Sequence, residues 1–215
     1  MLSLHGRAVI TRVLDPVGAR LAGAGVSPDA ITVVGTVGVT ASSVGLLATG
    51  HFVLGVVVTA LFLLSDLFDG LVARHRGTSS VWGAFLDSSL DRVSDTAVFG
   101  SLAYFWFTRG ASPLVGAVVL VCLASGAVTS YVKARAEGLG LSADVGIAER
   151  AERLIIASVA VLGEGLSGAR WVGPLGMWVL AVLSLVTVGQ RFVEVRRQAL
   201  LCAASTGATA PALSP

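Results

Sequence analysis

Apolar residues run through this chain in six blocks, at about 30–49, 52–74, 83–107, 112–136, 149–166 and 171–193. Each is close to the roughly 20 residues that a helix needs to cross the hydrocarbon core of a bilayer. The second block is unbroken from Phe52 to Leu64 and then turns polar, whereas the third starts polar and becomes apolar only after Asp95. Residues 2–21 follow another pattern: Leu2, Val9, Ile10, Val13, Leu14, Val17 and Leu21 are set against Arg7, Arg12, Asp15 and Arg20. A helix of that kind lies in the membrane interface rather than across it, and Pro16 bends or interrupts it. A Ser27-Pro28-Asp29 turn opens the first long block. Past about Leu200 the chain is dominated by Ala, Ser, Thr and Pro, a disordered composition. The predicted fold is all-α and polytopic, one membrane domain over residues 1–199. It has an amphipathic interfacial helix at 1–22, a bundle of six transmembrane helices at 29–195, and a disordered tail at 200–215.

Composition supports that class. Of the 215 residues 54% are apolar and 13% charged, against about 25% charged in a soluble domain. The net charge of +2 is too small to imply nucleic acid as a partner. Its distribution says more. In a six-helix arrangement Arg7, Arg12, Arg20, Arg74, Arg76, Arg92, Lys133, Arg135, Arg150, Arg153, Arg191, Arg196 and Arg197 share one side, and only Arg109 and Arg170 fall on the other. The positive side faces the cytoplasm, which places both termini there in the cell membrane. Cys122 and Cys202 have no metal-type spacing, and His5, His51 and His75 have no second ligand nearby in sequence. The first twenty residues carry no uninterrupted apolar core of a signal peptide.

Against this apolar background four carboxylates stand out: Asp66, Asp69, Asp87 and Asp91. Ionised groups at membrane depth are costly and rarely idle. Asp66 and Asp69 are three apart on one predicted helix, and Asp87 and Asp91 are four apart on the next, so each pair shares a helix face. A short connection lets all four converge. Two Mg²⁺ ions, with Mn²⁺ able to replace them, would neutralise the carboxylates and leave positions for phosphate oxygens. Gly70, Ala73 and Gly83 are small enough for a nucleotide to approach the backbone, and Arg74 can pair with a phosphate. An ion path, as in a cation transporter, is a competing use of intramembrane carboxylates, but it spreads them through the depth of the membrane, whereas these gather at one face.

The stretch Asp66-Leu-Phe-Asp69-Gly70-Leu-Val-Ala73-Arg74, followed by Gly83-Ala-Phe-Leu-Asp87-Ser-Ser-Leu-Asp91, closely resembles the signature of the CDP-alcohol phosphotransferases. The resemblance implies a six-helix membrane fold, a binuclear metal site, a homodimer, and transfer of a phosphatidyl group from CDP-diacylglycerol with release of CMP. Carried over by position, Asp66, Asp69, Asp87 and Asp91 match the metal-holding aspartates, with Asp91 also the general base. Gly70, Arg74, Ser80 and the Asp29-Ala30-Ile31-Thr32 segment match positions that touch the CDP-lipid. Asp95 lies one turn beyond the motif and is expected to make a structural pairing, with Arg92 or with a neighbouring helix, rather than to hold metal.

Ser130-Tyr-Val-Lys133-Ala-Arg135-Ala-Glu137 closes the fourth block, Glu149-Arg150-Ala-Glu152-Arg153 opens the fifth, and Arg191 ends the sixth. Cations at helix ends suit a phosphorylated acceptor, although any cytoplasmic rim is rich in them. These stretches, with Val26-Ser-Pro-Asp-Ala-Ile-Thr32, look like those of the actinobacterial phosphatidylinositol phosphate synthases within the same family. In that branch the acceptor is a myo-inositol phosphate, and Lys133, Arg135, Arg153 and Arg191 match its phosphate-binding positions. Glycerol 3-phosphate, also phosphorylated, is the rival acceptor.

Overall fold

The computed structural model describes residues 15–78 and 80–207, apart from the side chains of Asp66 and of residues 204–207, and all its regular structure is helical among the described residues. One membrane domain is predicted; the chain forms two compact units, Met1–Gly116 and Ala117–Pro215.

In the first unit, α1 (15–23) precedes α2 (Pro28–Ser42), which continues into one π-helical turn, Ser43–Leu47. Residues 1–14 of the predicted interfacial helix lie outside the described residues. Ser27 is extended and Pro28 sits at the first helical position, where its fixed φ suits the helix and its missing N–H leaves nothing unpaired. The next apolar run is not one helix. It divides at Leu64 into α3 (Phe52–Leu63) and α4 (Ser65–Arg76), and the Ser65 hydroxyl donates back to the Phe62 carbonyl at 2.5 Å. Such back-bonding takes a carbonyl from the helical ladder and bends the axis.

Gly77, at φ +62°, ends α4, and the Thr78 N–H reaches back to the Ala73 carbonyl at 3.0 Å. This is the six-to-one bond of a left-handed helix cap, which glycine adopts without strain. Ser80 then caps α5 (Val81–Thr108), accepting from the Gly83 N–H at 2.9 Å. Only Gly77–Ser80 separates the helices that carry the two aspartate pairs. Helix α2 packs against α3, α4 and α5. Its close approach depends on Gly35 and Gly38, where an added Cβ would fall 1.7 Å from Ser65 Oγ and 2.2 Å from the Phe62 ring. Farther along, Phe52, Phe105 and Trp106 stack edge to face, with Phe52 and Phe105 centroids 4.7 Å apart.

The second unit holds most of α6 (Pro113–Glu137), then α7 (Arg150–Ser167) and α8 (Val172–Gly207). Helices α7 and α8 run antiparallel: the Gly173 N–H meets Glu164, a Cβ on Gly176 would strike Ala160, and Arg191 reaches Glu149. Helix α8 persists to Gly207, beyond the expected start of the tail, because Ala199-Leu-Leu-Cys-Ala-Ala204 consists mainly of strong helix formers. The rest of that tail, 208–215, lies outside the described residues.

Four helices among the described residues are long and apolar enough to cross a membrane: Pro28–Leu47, Phe52–Arg76, Pro113–Glu137 and Val172–Ala203. Helices α5 and α7 do not qualify on composition, since Asp87, Asp91, Arg92 and Asp95 crowd the first half of one and Arg150, Glu152, Arg153 and Glu164 punctuate the other. Large apolar side chains stand exposed on several helices, including Val37, Leu61, Val159 and Val193. Surfaces of that kind are stable in lipid, which solvates them as a core would. The chain is a multi-pass membrane protein.

Candidate active site

The starts of α2 and α5 and the middle of α4 enclose a pocket of about 230 Å³ within the first unit. Its walls carry Asp29 and Thr32 from α2, Asp69, Gly70 and Ala73 from α4, and Ser80, Gly83 and Asp87 around the start of α5. All eight are among the residues that the aspartate pattern and the family resemblance single out. Pro28, Thr78 and Ala84 complete the lining; they were not anticipated, although each adjoins or follows closely on a predicted residue or a helix cap.

Asp69 is buried, at 7% exposure, and held on both oxygens. The Thr32 hydroxyl donates to Oδ2 at 2.6 Å, and the Gly70 N–H donates to Oδ1. Asp29 accepts from the Trp82 indole at 3.1 Å, which ties the first turn of α2 to the first turn of α5. At Gly70 a Cβ would meet no atom within 4 Å, so its face of α4 is open space. At Gly83 a Cβ would come 3.3 Å from Ser80 Oγ and 3.9 Å from Asp29 Oδ1. The pocket is therefore acidic, lined by oxygen donors, and floored by bare backbone.

Other predicted residues lie outside that lining. Asp91 follows Asp87 by one turn of α5, with its carboxylate 3.8 Å from Arg92. Arg92 also pairs with the buried Asp95 at 3.2 Å, the structural pairing expected for it. Arg74 is exposed on α4, and Ala30 and Ile31 belong to the first turn of α2 without facing the pocket. Asp66 has its backbone in α4, and its side chain lies outside the described residues. Among the described residues no three acidic, imidazole or thiol groups gather at metal-ligand spacing. Of the four aspartates expected to hold metal, Asp69 and Asp87 line the pocket, and their carboxylates are donors that hard divalent cations prefer. A second cavity of about 500 Å³, between the π turn and α5, has Arg109 and no carboxylate in its lining.

The predicted acceptor clamp belongs to the second unit, and the structure gives its members unequal settings. Lys133 pairs with Asp144, at 2.5 Å, and with Glu137 at 3.9 Å. That hydrogen bond and charge, with help from Ser142, hold the Asp144 carboxyl below the usual carboxylate range. Arg191 is buried at 4% exposure and donates to the Val145 and Thr129 carbonyls, both at 2.9 Å, while its other terminal nitrogen lies 3.5 Å from Glu149. Lys133 and Arg191 thus grip the same connection between α6 and α7. Arg153, at 3% exposure, lies against Gly126 and donates to the Cys122 carbonyl at 2.8 Å. Arg135 is exposed. Burial of Arg153 and Arg191 was not legible beforehand, because both read as rim residues at helix ends.

Helical spans in lipid and an acidic pocket beside a run of small residues define a membrane-embedded enzyme. The chain belongs to the CDP-alcohol phosphatidyltransferase family, whose model matches residues 25–189. It is similar to the phosphatidylinositol phosphate synthase of Streptomyces avermitilis, at 47% identity over 97% of this chain and 88% of that one. The synthase of Mycobacteroides abscessus is 43% identical over 91% of this chain and 89% of its own. Among solved structures, the phosphatidylinositol phosphate synthase of Mycobacterium tuberculosis with CDP-DAG bound aligns with a TM-score of 0.81 at 37% identity, covering 86% of this chain and 94% of that one. The same enzyme in complex with manganese and citrate gives 0.79, covering 84% and 87%.

Proposed function

We propose that this protein transfers the phosphatidyl group of CDP-diacylglycerol to a myo-inositol phosphate, releasing CMP and forming phosphatidylinositol phosphate. The observation that carries this reading is the pocket in which Asp69, Gly70 and Asp87 from adjoining helices meet Asp29 and Thr32 of α2. Similarity to the synthases over nearly the whole chain supports the acceptor. The site residues are those read from the sequence: Asp66, Asp69, Asp87 and Asp91 for two Mg²⁺ or Mn²⁺ ions, and Asp29, Ala30, Ile31, Thr32, Gly70, Ala73, Arg74, Ser80 and Gly83 for the CDP-lipid. Lys133, Arg135, Arg153 and Arg191 hold the acceptor phosphate. Bound divalent ions supply charge neutralisation at the diphosphate oxygens.

The residues then have distinct tasks. Gly70 and Gly83 leave the backbone bare where the nucleotide lies. Arg74 offsets charge on the departing phosphate. Asp91 accepts the proton of the attacking inositol hydroxyl. That oxygen bonds to the lipid-linked phosphorus as its bond to the CMP oxygen breaks, and the electron pair leaves with CMP. A protein of six transmembrane helices is part of the same reading, with α5 and α7 as the two further spans. So are the interfacial N-terminal helix, a cytoplasmic site and termini, and a homodimer. Asp91→Asn is expected to bind metal and lose turnover; normal turnover would remove Asp91 as the base. The reaction itself is tested by CMP release from CDP-diacylglycerol in Mg²⁺, with inositol 1-phosphate, glycerol 3-phosphate or free inositol supplied to purified protein. Release only with inositol 1-phosphate is expected. Release with glycerol 3-phosphate would keep the chemistry and overturn the acceptor, and release with none would overturn the transferase.

A further inference from the structure

The pocket contains a buried hydrogen bond that joins elements far apart in sequence. Thr32 and Asp69 are 6% and 7% exposed, and the Thr32 hydroxyl stands 2.6 Å from Asp69 Oδ2 and 3.1 Å from the Pro28 carbonyl. A hydroxyl has one proton to give. The shorter contact to a carboxylate has the length of a charge-assisted bond, so the proton points at Asp69. On the other oxygen the Gly70 N–H donates. Asp69 is therefore gripped by a donor from α2 and a donor from α4, one on each oxygen.

The grip is stiff. Thr32 lies one turn into a helix whose start is set by Pro28 and whose middle is held against Ser65 and Phe62 by Gly35 and Gly38. Groups that hydrogen-bond a ligating carboxylate fix its orientation and hence its affinity for the ion. We infer that Thr32 is a positioning residue for the divalent-metal site, orienting Asp69 through its hydroxyl, rather than a nucleotide contact alone. This rests on the proposed metal site of the preceding section.

Mn²⁺ binding, with no lipid substrate present, tests it. Electron paramagnetic resonance of free Mn²⁺ would be recorded against detergent-solubilised wild type, Thr32→Val, Thr32→Ser and Asp69→Asn, each first shown to be folded by its thermal melt. Thr32→Val keeps the side-chain shape and is expected to weaken Mn²⁺ binding about 10- to 100-fold, while Thr32→Ser stays within a few fold of wild type. In turnover, Thr32→Val is expected to need more Mn²⁺ for half-maximal rate and to recover at excess metal. The double variant Thr32→Val/Asp69→Asn should bind no more weakly than Asp69→Asn alone, because the two groups act as one unit. Wild-type Mn²⁺ affinity in Thr32→Val, with only the requirement for CDP-diacylglycerol raised, would overturn the inference and leave the metal site standing. Absence in wild type of any Mn²⁺ binding that Asp69→Asn removes would overturn the metal site as well.

Discussion

Replacing Gly35 by alanine tests the geometry that holds the pocket's first wall. A Cβ there would lie 1.7 Å from Ser65 Oγ, 2.9 Å from Ser65 Cβ and 3.3 Å from the Phe62 carbonyl oxygen. The hydroxyl can rotate away, but the other two atoms move only with the backbone, so α2 must separate from the α3–α4 junction. Overpacking of this kind costs about 1–3 kcal/mol, and backbone obstacles favour the upper half of that range. Alanine returns about 1 kcal/mol of helix propensity, leaving a net loss of ~1–2 kcal/mol. For a chain of this size about 2–4 °C of melting temperature accompanies each kcal/mol. Thermal unfolding in detergent should therefore show Gly35→Ala melting roughly 2–8 °C below wild type. Gly100→Ala is the matched control, because a Cβ there meets nothing within 4 Å and the helix gain stands alone. Adding Ser65→Gly should recover most of the loss, whereas Ser65→Ala, which keeps its Cβ, should recover less. Equal melting of Gly35→Ala and Gly100→Ala would refute the account of how α2 is seated.

Further outcomes follow from the same contacts. Gly70→Ala meets no protein atom within 4 Å, so, like Gly100→Ala, it should melt at or somewhat above wild type, while its methyl enters the pocket and raises the KM for CDP-diacylglycerol tenfold or more. Ser80→Ala removes the cap on Gly83 and should cost about 1 kcal/mol of stability, with Ser80→Asp restoring it; an unchanged melt would count against the cap. Asp144 has its folded-state pKa depressed by Lys133, so its stabilisation is present above the ordinary value of 3.8 and lost as pH falls through the lower folded value. The pair is largely exposed, and Asp144→Asn should cost under ~1 kcal/mol at neutral pH and flatten the acid limb of the stability profile; an unaltered limb would remove the pair from that role.

What could be read from the sequence was what depends on near neighbours. Steps of three and four place Asp66 with Asp69 and Asp87 with Asp91 on shared helix faces, and both pairs do fall on adjoining helices, α4 and α5. Gly77 and Ser80 made that connection short for equally local reasons. What stayed hidden depends on tertiary contact. The sequence shows a change from apolar to polar residues after Leu64 but not that the helix breaks there, a break at which the Ser65 hydroxyl turns back on Phe62. The bond from Thr32 to Asp69 spans 37 positions, and its first partner reads on its own as an ordinary helix-start hydroxyl. Arg153 and Arg191 carry the charge expected of them, but their carbonyl partners come from segments that only packing brings near.

The short turn from Gly77 to Ser80 has a consequence for biogenesis. Every residue lining the acidic pocket falls between Pro28 and Asp87, so each has been synthesised before α6 begins at Pro113. A nascent chain arrested after Gly116 already carries every residue proposed to hold the metal ions and the CDP-lipid, while the cationic residues proposed for the acceptor phosphate, Lys133 to Arg191, have yet to be translated. On the proposed assignment, the two substrates are served by consecutive stretches of one translation product.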